Sequence, residues 1–308
     1  MQYTRKQKNI GLITGFVLLW NSGFVGAEFG LPYAGPFTFM FYRYLASTLL
    51  IACYLFITKQ LYWIGWRCAW HQMIIGVLAH GVWLSCVLIA IDHGVPAGIV
   101  ALIVALQPLA TGALSGKVVN EPTPWNRWLG LVIGFIGVAV PVLSRIDFNN
   151  PYDIFAWLIP LLSVIAITAA SLFQRKLDLK KDYPDIHGGL QLYYQTMATT
   201  LALILPAVLT EKLAVEWNPV FASSLIWLIM GVSLGAYNLM WILIDRLDAT
   251  RVASLFYLGP PVTMLMAWLA LGDKVETIDL IGLTIVLLGV MLTYLKHPAI
   301  LFYLRKYL

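Results

Sequence analysis

The sequence predicts an all-α integral membrane protein, ten transmembrane helices arranged as two inverted five-helix repeats. Three observations carry this prediction. Apolar runs of membrane-spanning length recur ten times, Lys and Arg concentrate in alternate gaps between them, and spans 7–10 match spans 2–5 at a single offset, with spans 1 and 6 shifted by about four residues. Of the 308 residues, 60% are hydrophobic and only 11% charged, whereas a soluble domain carries about 25% charged residues. Mean hydropathy is +0.80, so lipid is the solvent for most of the chain.

A span needs about 20 mostly apolar residues. The candidates in chain order are 10–30, 36–58, 70–91, 96–116, 126–144, 153–174, 189–210, 222–244, 250–271 and 276–296. The first follows a basic start, "MQYTRKQKN", as a secretory leader would. Its apolar run is long and nine more follow, so it reads as a retained first span. The gaps are too short for a separate soluble domain. Two units are therefore expected, 10–145 and 153–297, followed by a cytoplasmic tail at 298–308.

With the N-terminus in the cytoplasm, sixteen of the 20 Lys and Arg fall in cytoplasmic segments. Arg145, Lys212 and Lys274 fall on the opposite side, and Arg43 alone lies within a span. Cytoplasmic loops carry the excess of Lys and Arg, so both termini are expected to be cytoplasmic. The net charge of +5 is not gathered with stacking aromatics on one polar face, which argues against nucleic acid as a partner. Cys53, Cys68 and Cys86 are an odd number without metal-ligand spacing, and read as small hydrophobes.

Sliding the chain by 152 residues lays "FYRYLASTL" (Phe41 to Leu49) on "YYQTMATTL" (Tyr193 to Leu201). Pro108 falls on Pro260, Glu121 on Asp273, Gly130 on Gly282 and Gly137 on Gly289. Five spans per unit is an odd number, so the second unit must enter the membrane upside down. Inverted repeats are a recurring plan of secondary transporters.

These residues resemble the drug/metabolite transporter superfamily in its EamA-type bacterial branch. The resemblance rests on "LLWNSGFVGAEFGLPYAGPFTFMFYRYLAS", a Trp and small polar residues leading through a Pro-aromatic stretch to an Arg. It rests also on Pro108, Glu121 and the Gly-rich "GLVIGFIGVAV". Many relatives carry a Lys where this chain has Glu28. The resemblance implies an inner-membrane carrier, commonly an exporter of amino acids or related small metabolites, with a cavity lined by spans 1, 3, 4, 6, 8 and 9. An importer of a vitamin or nucleotide-like metabolite would share the fold. A membrane receptor or enzyme is the reading from another class; an enzyme would be expected to cluster His, Asp or Glu at one membrane face, and the sequence shows no such cluster.

Several polar residues in the spans are candidate site residues. Arg43 at such depth costs about 2.5–3.5 kcal/mol unless it is paired or faces water. Glu28 is within reach as an ion-pair partner or outer gate. The alternatives for Arg43 are binding a substrate carboxylate and clamping two helices. Glu28 is the only carboxylate clearly within a span and is the candidate for proton coupling, although a pair with Arg43 would hold it ionised. Ser233, Tyr237 and Trp241 recur every four residues on one helical face, with Asn238 beside them. His80 and Trp83 lie one turn apart in span 3. Trp20, Asn21 and Ser22 in span 1, Gln107 before Pro108, and Tyr257 in span 9 complete the candidate lining. Such aromatics with polar tips suit a small amphipathic substrate.

Cofactor motifs fail. "GALSGKVV" has three residues, not four, between its glycines, and ends an apolar span instead of following a strand. The five histidines are scattered, so no metal site is expected. "GLITG" and "GLVIG" have the spacing of close helix packing, which leaves monomer and homodimer both open.

Overall fold

A bilayer offers no water to the backbone, so a spanning segment must satisfy its own N–H and C=O groups, as a helix does. The computed structural model describes residues 2–120, 125–180, 183–247 and 255–294, which are overwhelmingly helical. Eight helices are long and apolar enough to cross a membrane. They are α1 Ile10–Tyr33, α2 Pro36–Ile57, α3 Trp66–Asp92, α4 Ala97–Val118, α5 Trp125–Leu143, α6 Tyr152–Asp178, α7 Gly188–Glu211 and α8 Pro219–Met240. Two shorter apolar helices follow, α9 Phe256–Leu271 and α10 Thr277–Leu292. All ten fall on the predicted runs. The first residues of the ninth run and the tail at 298–308 lie outside the described residues.

Large apolar side chains such as Leu49, Phe56, Ile57, Ile165, Leu205 and Leu269 stand exposed along these helices, as a lipid-facing belt requires. Trp66, Trp125 and Tyr152, at the starts of α3, α5 and α6, are 74–79% exposed. Amphipathic rings at helix ends suit the headgroup layer.

The main helix pairings are the same when the two halves are exchanged. The most extensive contacts join α5 with α10 and α2 with α7, each helix with its own counterpart. Two further sets of contacts match across the halves: α1 packs on α8 as α6 packs on α3, and α1 on α9 as α6 on α4. Thr48 and Thr200, which the 152 offset equates, share a hydrogen bond of 3.3 Å. Pairing is antiparallel, because Gly137 lies against Gly282 while Gly130 lies against Gly289. The second half is therefore inverted relative to the first.

Helix interruptions obey the same symmetry. A Pro lacks the N–H that would close the preceding turn. α4 breaks at Ala105, just before Pro108, and α9 opens with a 3₁₀ turn at Phe256–Leu258, just before Pro260. α3 widens into a π-helical segment at Val77–Val82 and α8 into another at Trp227–Ala236. The offset carries 77–82 to 229–234, inside the second segment.

At the end of the bundle away from the start of α1, charged groups tie the halves together. Glu211, in the last turn of α7, accepts the N–H groups of Phe37 (3.0 Å) and Thr38 (2.6 Å) at the start of α2. A carboxylate there meets the helix dipole and unpaired donors. Gly35 makes room for it, since a Cβ at that position would lie 2.3 Å from the Glu211 carboxyl carbon. Arg145 binds Asp279 through both guanidinium nitrogens and lies 3.4 Å from Glu276.

The α5–α10 seam sets a stability prediction. A Cβ on Gly282 would meet the Gly137 carbonyl oxygen at 2.5 Å and Pro141 Cδ at 2.7 Å. Gly282→Val should cost about 1–3 kcal/mol by overpacking. The drop is to be read as a lower midpoint in thermal denaturation of the purified protein. Gly11→Val, with nothing within 4 Å, should leave the midpoint nearly unchanged. Equal midpoints for the two variants would contradict a close seam.

Candidate functional site

Between α1, α2, α3 and α8 lies a narrow cavity of about 40 Å3, within a partly open cleft. The α1 wall is Trp20, Gly23, Phe24 and Ala27, which recur at three- and four-residue steps and so share one helical face. Arg43 and Tyr44 come from α2, Trp83, Leu84, Val87 and Leu88 from α3, and Val232 and Tyr237 from α8. Helices α4, α6 and α9, which the resemblance also implied, contribute no residue to this lining. A smaller adjoining pocket contains Tyr44, His80, Ser233 and Tyr237, so Tyr44 and Tyr237 stand between the two.

Arg43 is 6% exposed. Its Nε and Nη2 donate to Ser233 Oγ at 3.3 and 3.1 Å, and its guanidinium carbon lies 5.8 Å from the Tyr44 ring centroid. The ion pair expected with Glu28 is not made: the Arg43 guanidinium is held by Ser233 instead. The reason is angular. Glu28 sits one residue past Ala27, roughly 100° around the helix from the cavity face. It stands instead within electrostatic reach of Asp273 on the α9–α10 connection. Glu28 Oε2 and Asp273 Oδ2 are both buried without a hydrogen-bond partner, and burial pushes the Asp273 carboxyl pKa upward.

The other candidates fall into distinct places. Trp20, Trp83 and Tyr237 line the main cavity, and His80 lines the adjoining pocket. The Trp20 ring packs 5.2 Å from Tyr237 and 5.0 Å from Phe256. Asn21 joins α1 to α9 by accepting from Thr263 (3.2 Å). Ser22 joins α1 to α8 by accepting from Trp227 Nε1 (2.9 Å). Gln107 Nε2 lies 3.5 Å from Thr111 and from Ser171, between α4 and α6. Tyr257 packs against the main core. Asn238 is exposed. The Trp241 side chain lies outside the described ones. Sequence reasoning did not single out Tyr44, although its place next to Arg43 was a signal. It also missed Phe24, Leu84 and Val87, which look like any other apolar residue of a span.

His80 also begins a chain of polar side chains leading away from the cavity. Its Nε2 lies 3.3 Å from Gln195 Oε1, and Gln195 Nε2 donates to Gln72 Oε1 at 2.8 Å. Gln72 Nε2 reaches Gln174 Oε1 (3.5 Å) and Tyr183 Oη (3.4 Å), and Gln174 Nε2 donates to Asp178 at 2.7 Å. The direction follows from the end group. Asp178 as a carboxylate only accepts, so each amide must donate toward it. That assigns the Nε2–H tautomer to His80. The chain ties α3, α6 and α7 together in the half of the bundle nearer the start of α1.

Comparison with known proteins bears on this arrangement. The model of the EamA-like transporter family matches residues 7–143 and again residues 153–295. The chain belongs to that family. An "Uncharacterized transporter" of Archaeoglobus fulgidus is 26% identical, covering 91% of this chain and 95% of that one. A "Probable amino-acid metabolite efflux pump" of Salmonella typhimurium is 22% identical over 65% of this chain and 68% of its own length. A solved structure described as "Crystal structure of protein" shares the fold at a TM-score of 0.61 and 16% identity, covering 94% of this chain and 97% of that one. This EamA-like protein is thus a multi-pass membrane transporter.

Gln195→Leu would leave Gln72 Oε1 and the His80 N–H unpaired at once. Losing buried partners of this kind costs about 1–3 kcal/mol. The thermal midpoint in lipid nanodiscs should fall accordingly, and Gln195→Glu, which keeps an acceptor for His80, should fall less. A midpoint unchanged in Gln195→Leu would show that the chain contributes nothing to stability.

Proposed function

We propose that this EamA-like protein is an inner-membrane secondary transporter that exports amino acids or related small metabolites by alternating access. The single observation that carries the reading is that the main helix pairings match across the two halves, beside a cavity with aromatic walls and one buried guanidinium. Two halves with equivalent contacts can trade conformations, so that the same site faces first one side and then the other. The two bodies in this reading are 10–145 and 153–297, and the excess of Lys and Arg in alternate gaps supports cytoplasmic termini. The name of the Salmonella typhimurium relative supports export of amino-acid metabolites.

In this mechanism Trp20, Tyr237 and Trp83 hold the apolar body of the substrate, and Arg43 faces its polar end. The His80–Gln195–Gln72–Gln174–Asp178 chain holds one half of the pathway shut and parts when that half opens. Glu28, with an unpartnered oxygen close to Asp273, is the group for proton coupling.

Metabolite profiling of cells and medium tests this reading. Cells overproducing the protein should enrich one or a few small metabolites outside, at least about tenfold over cells making Tyr237→Ala at equal membrane levels. A factor of ten corresponds to about 1.4 kcal/mol of lost binding. Enrichment inside the cells would reverse the direction, and no difference from cells lacking the protein would remove the transporter reading of this site.

A further inference from the structure

The cavity has an unbalanced inventory of polar groups. Among the described residues its lining holds one permanent cation, Arg43, and no carboxylate, amide or imidazole. Arg43 is 6% exposed, and its one side-chain hydrogen-bond partner among the described residues is the neutral hydroxyl of Ser233. A hydroxyl satisfies donors but does not neutralise charge. A buried charge is costly unless it is paired and hydrogen-bonded. A second donor points the same way: Trp83, 9% exposed and in the same lining, has an indole N–H with no partner. Both unmet demands are for an acceptor, and the guanidinium's is for an anion.

We propose that this cavity selects organic carboxylates of net negative charge on an apolar or aromatic body, in preference to the zwitterion or cation of the same shape. The inference rests on the transporter reading above and narrows its substrate class, from amino acids and their relatives to the acids that lack a free ammonium. Arg43 holds the carboxylate in a charge-assisted hydrogen bond, stronger than a neutral one, while Ser233 keeps the guanidinium in place. The Trp83 N–H takes a remaining oxygen lone pair. Trp20, Phe24 and Tyr237 cover the body of the solute. An ammonium group would find only ring faces and phenol oxygens here, and would enter against the field of Arg43. Glu28, the nearest carboxylate in sequence, is not among the lining residues.

The test uses the full chain in lipid nanodiscs and four probes with one aromatic body: 3-phenylpropionate, phenylalanine, phenethylamine and neutral 3-phenylpropionamide. Binding is measured by calorimetric titration. The expected ranking puts 3-phenylpropionate first, at least about tenfold tighter than phenylalanine, with phenethylamine weakest. Arg43→Gln should lose about tenfold or more for 3-phenylpropionate and change little for the amide, a split that a merely structural arginine would not produce. If Arg43→Gln does not fold, the ranking on the unaltered protein decides by itself.

Phenylalanine or phenethylamine binding as tightly as 3-phenylpropionate would overturn the inference, and so would failure of 3-phenylpropionate to bind. Failure here is distinguishable from failure of the transporter reading. Flux of phenylalanine into proteoliposomes at or above that of the acid removes the anion preference and leaves the transporter. The transporter reading instead falls with an absence of any transported metabolite in profiling.

Discussion

The structure depends on the close antiparallel pairing of α5 with α10 and of α2 with α7, each helix with its counterpart in the other half. Between helices in lipid there is little hydrophobic driving force, because acyl chains are as apolar as leucine. Van der Waals contact and interhelical hydrogen bonds must hold the bundle instead. Gly137 against Gly282, and Gly130 against Gly289, let the α5 and α10 backbones meet at distances no side chain would permit. On the α2–α7 pair, Thr48 bonds to Thr200 and Glu211 caps the start of α2. Each of these devices ties a helix of one half to the counterpart helix of the other.

That pairing leaves a gap where the counterpart helices part company, and polar groups gather there. They are handled in two ways. The glutamines of α3, α6 and α7 are linked in one direction, each amide donating to the next until Asp178 accepts the last. Bonds aligned head to tail polarise one another, so a satisfied chain in a low-dielectric interior holds more firmly than its members would singly. Arg43 is treated differently. It is anchored by Ser233 and left without a carboxylate. One arrangement pairs its polar groups with one another, and the other leaves a guanidinium with a neutral partner.

The two π-helical segments join packing to site. A π turn adds a residue to the helical circuit and rotates the side chains beyond it, and such segments recur at functional positions. His80 lies inside the segment of α3 and Ser233 inside that of α8. Both residues line the pocket that adjoins the main cavity. Thr199 donates to the carbonyl of Gly76 at 2.9 Å, at the mouth of the first segment, supplying from α7 a partner for backbone at the helix transition.

What the sequence determined by itself follows from rules that act residue by residue. Span length, the lipid-compatible composition, the even number of spans and the inverted repeat depend on hydrophobicity, chain count and self-similarity, none of which needs a third dimension. The break before Pro108 and its echo before Pro260 were legible for the same reason: the missing N–H belongs to the proline itself. Trp20, Trp83, Tyr237 and Arg43 could be picked as polar or amphipathic residues at mid-span. Tertiary structure decided which faces turned inward. A rotation of roughly 100° per residue separates Ala27 in the cavity wall from Glu28 outside it, so nearness in sequence suggested an ion pair that the fold does not make. Asn21 and Ser22 were equally polar and equally deep, yet α9 and α8 took them as packing partners. The partner of Arg43, a serine 190 residues away, was set by how α8 lies against α2. No local pattern encodes that crossing, because it results from all ten helices packing at once.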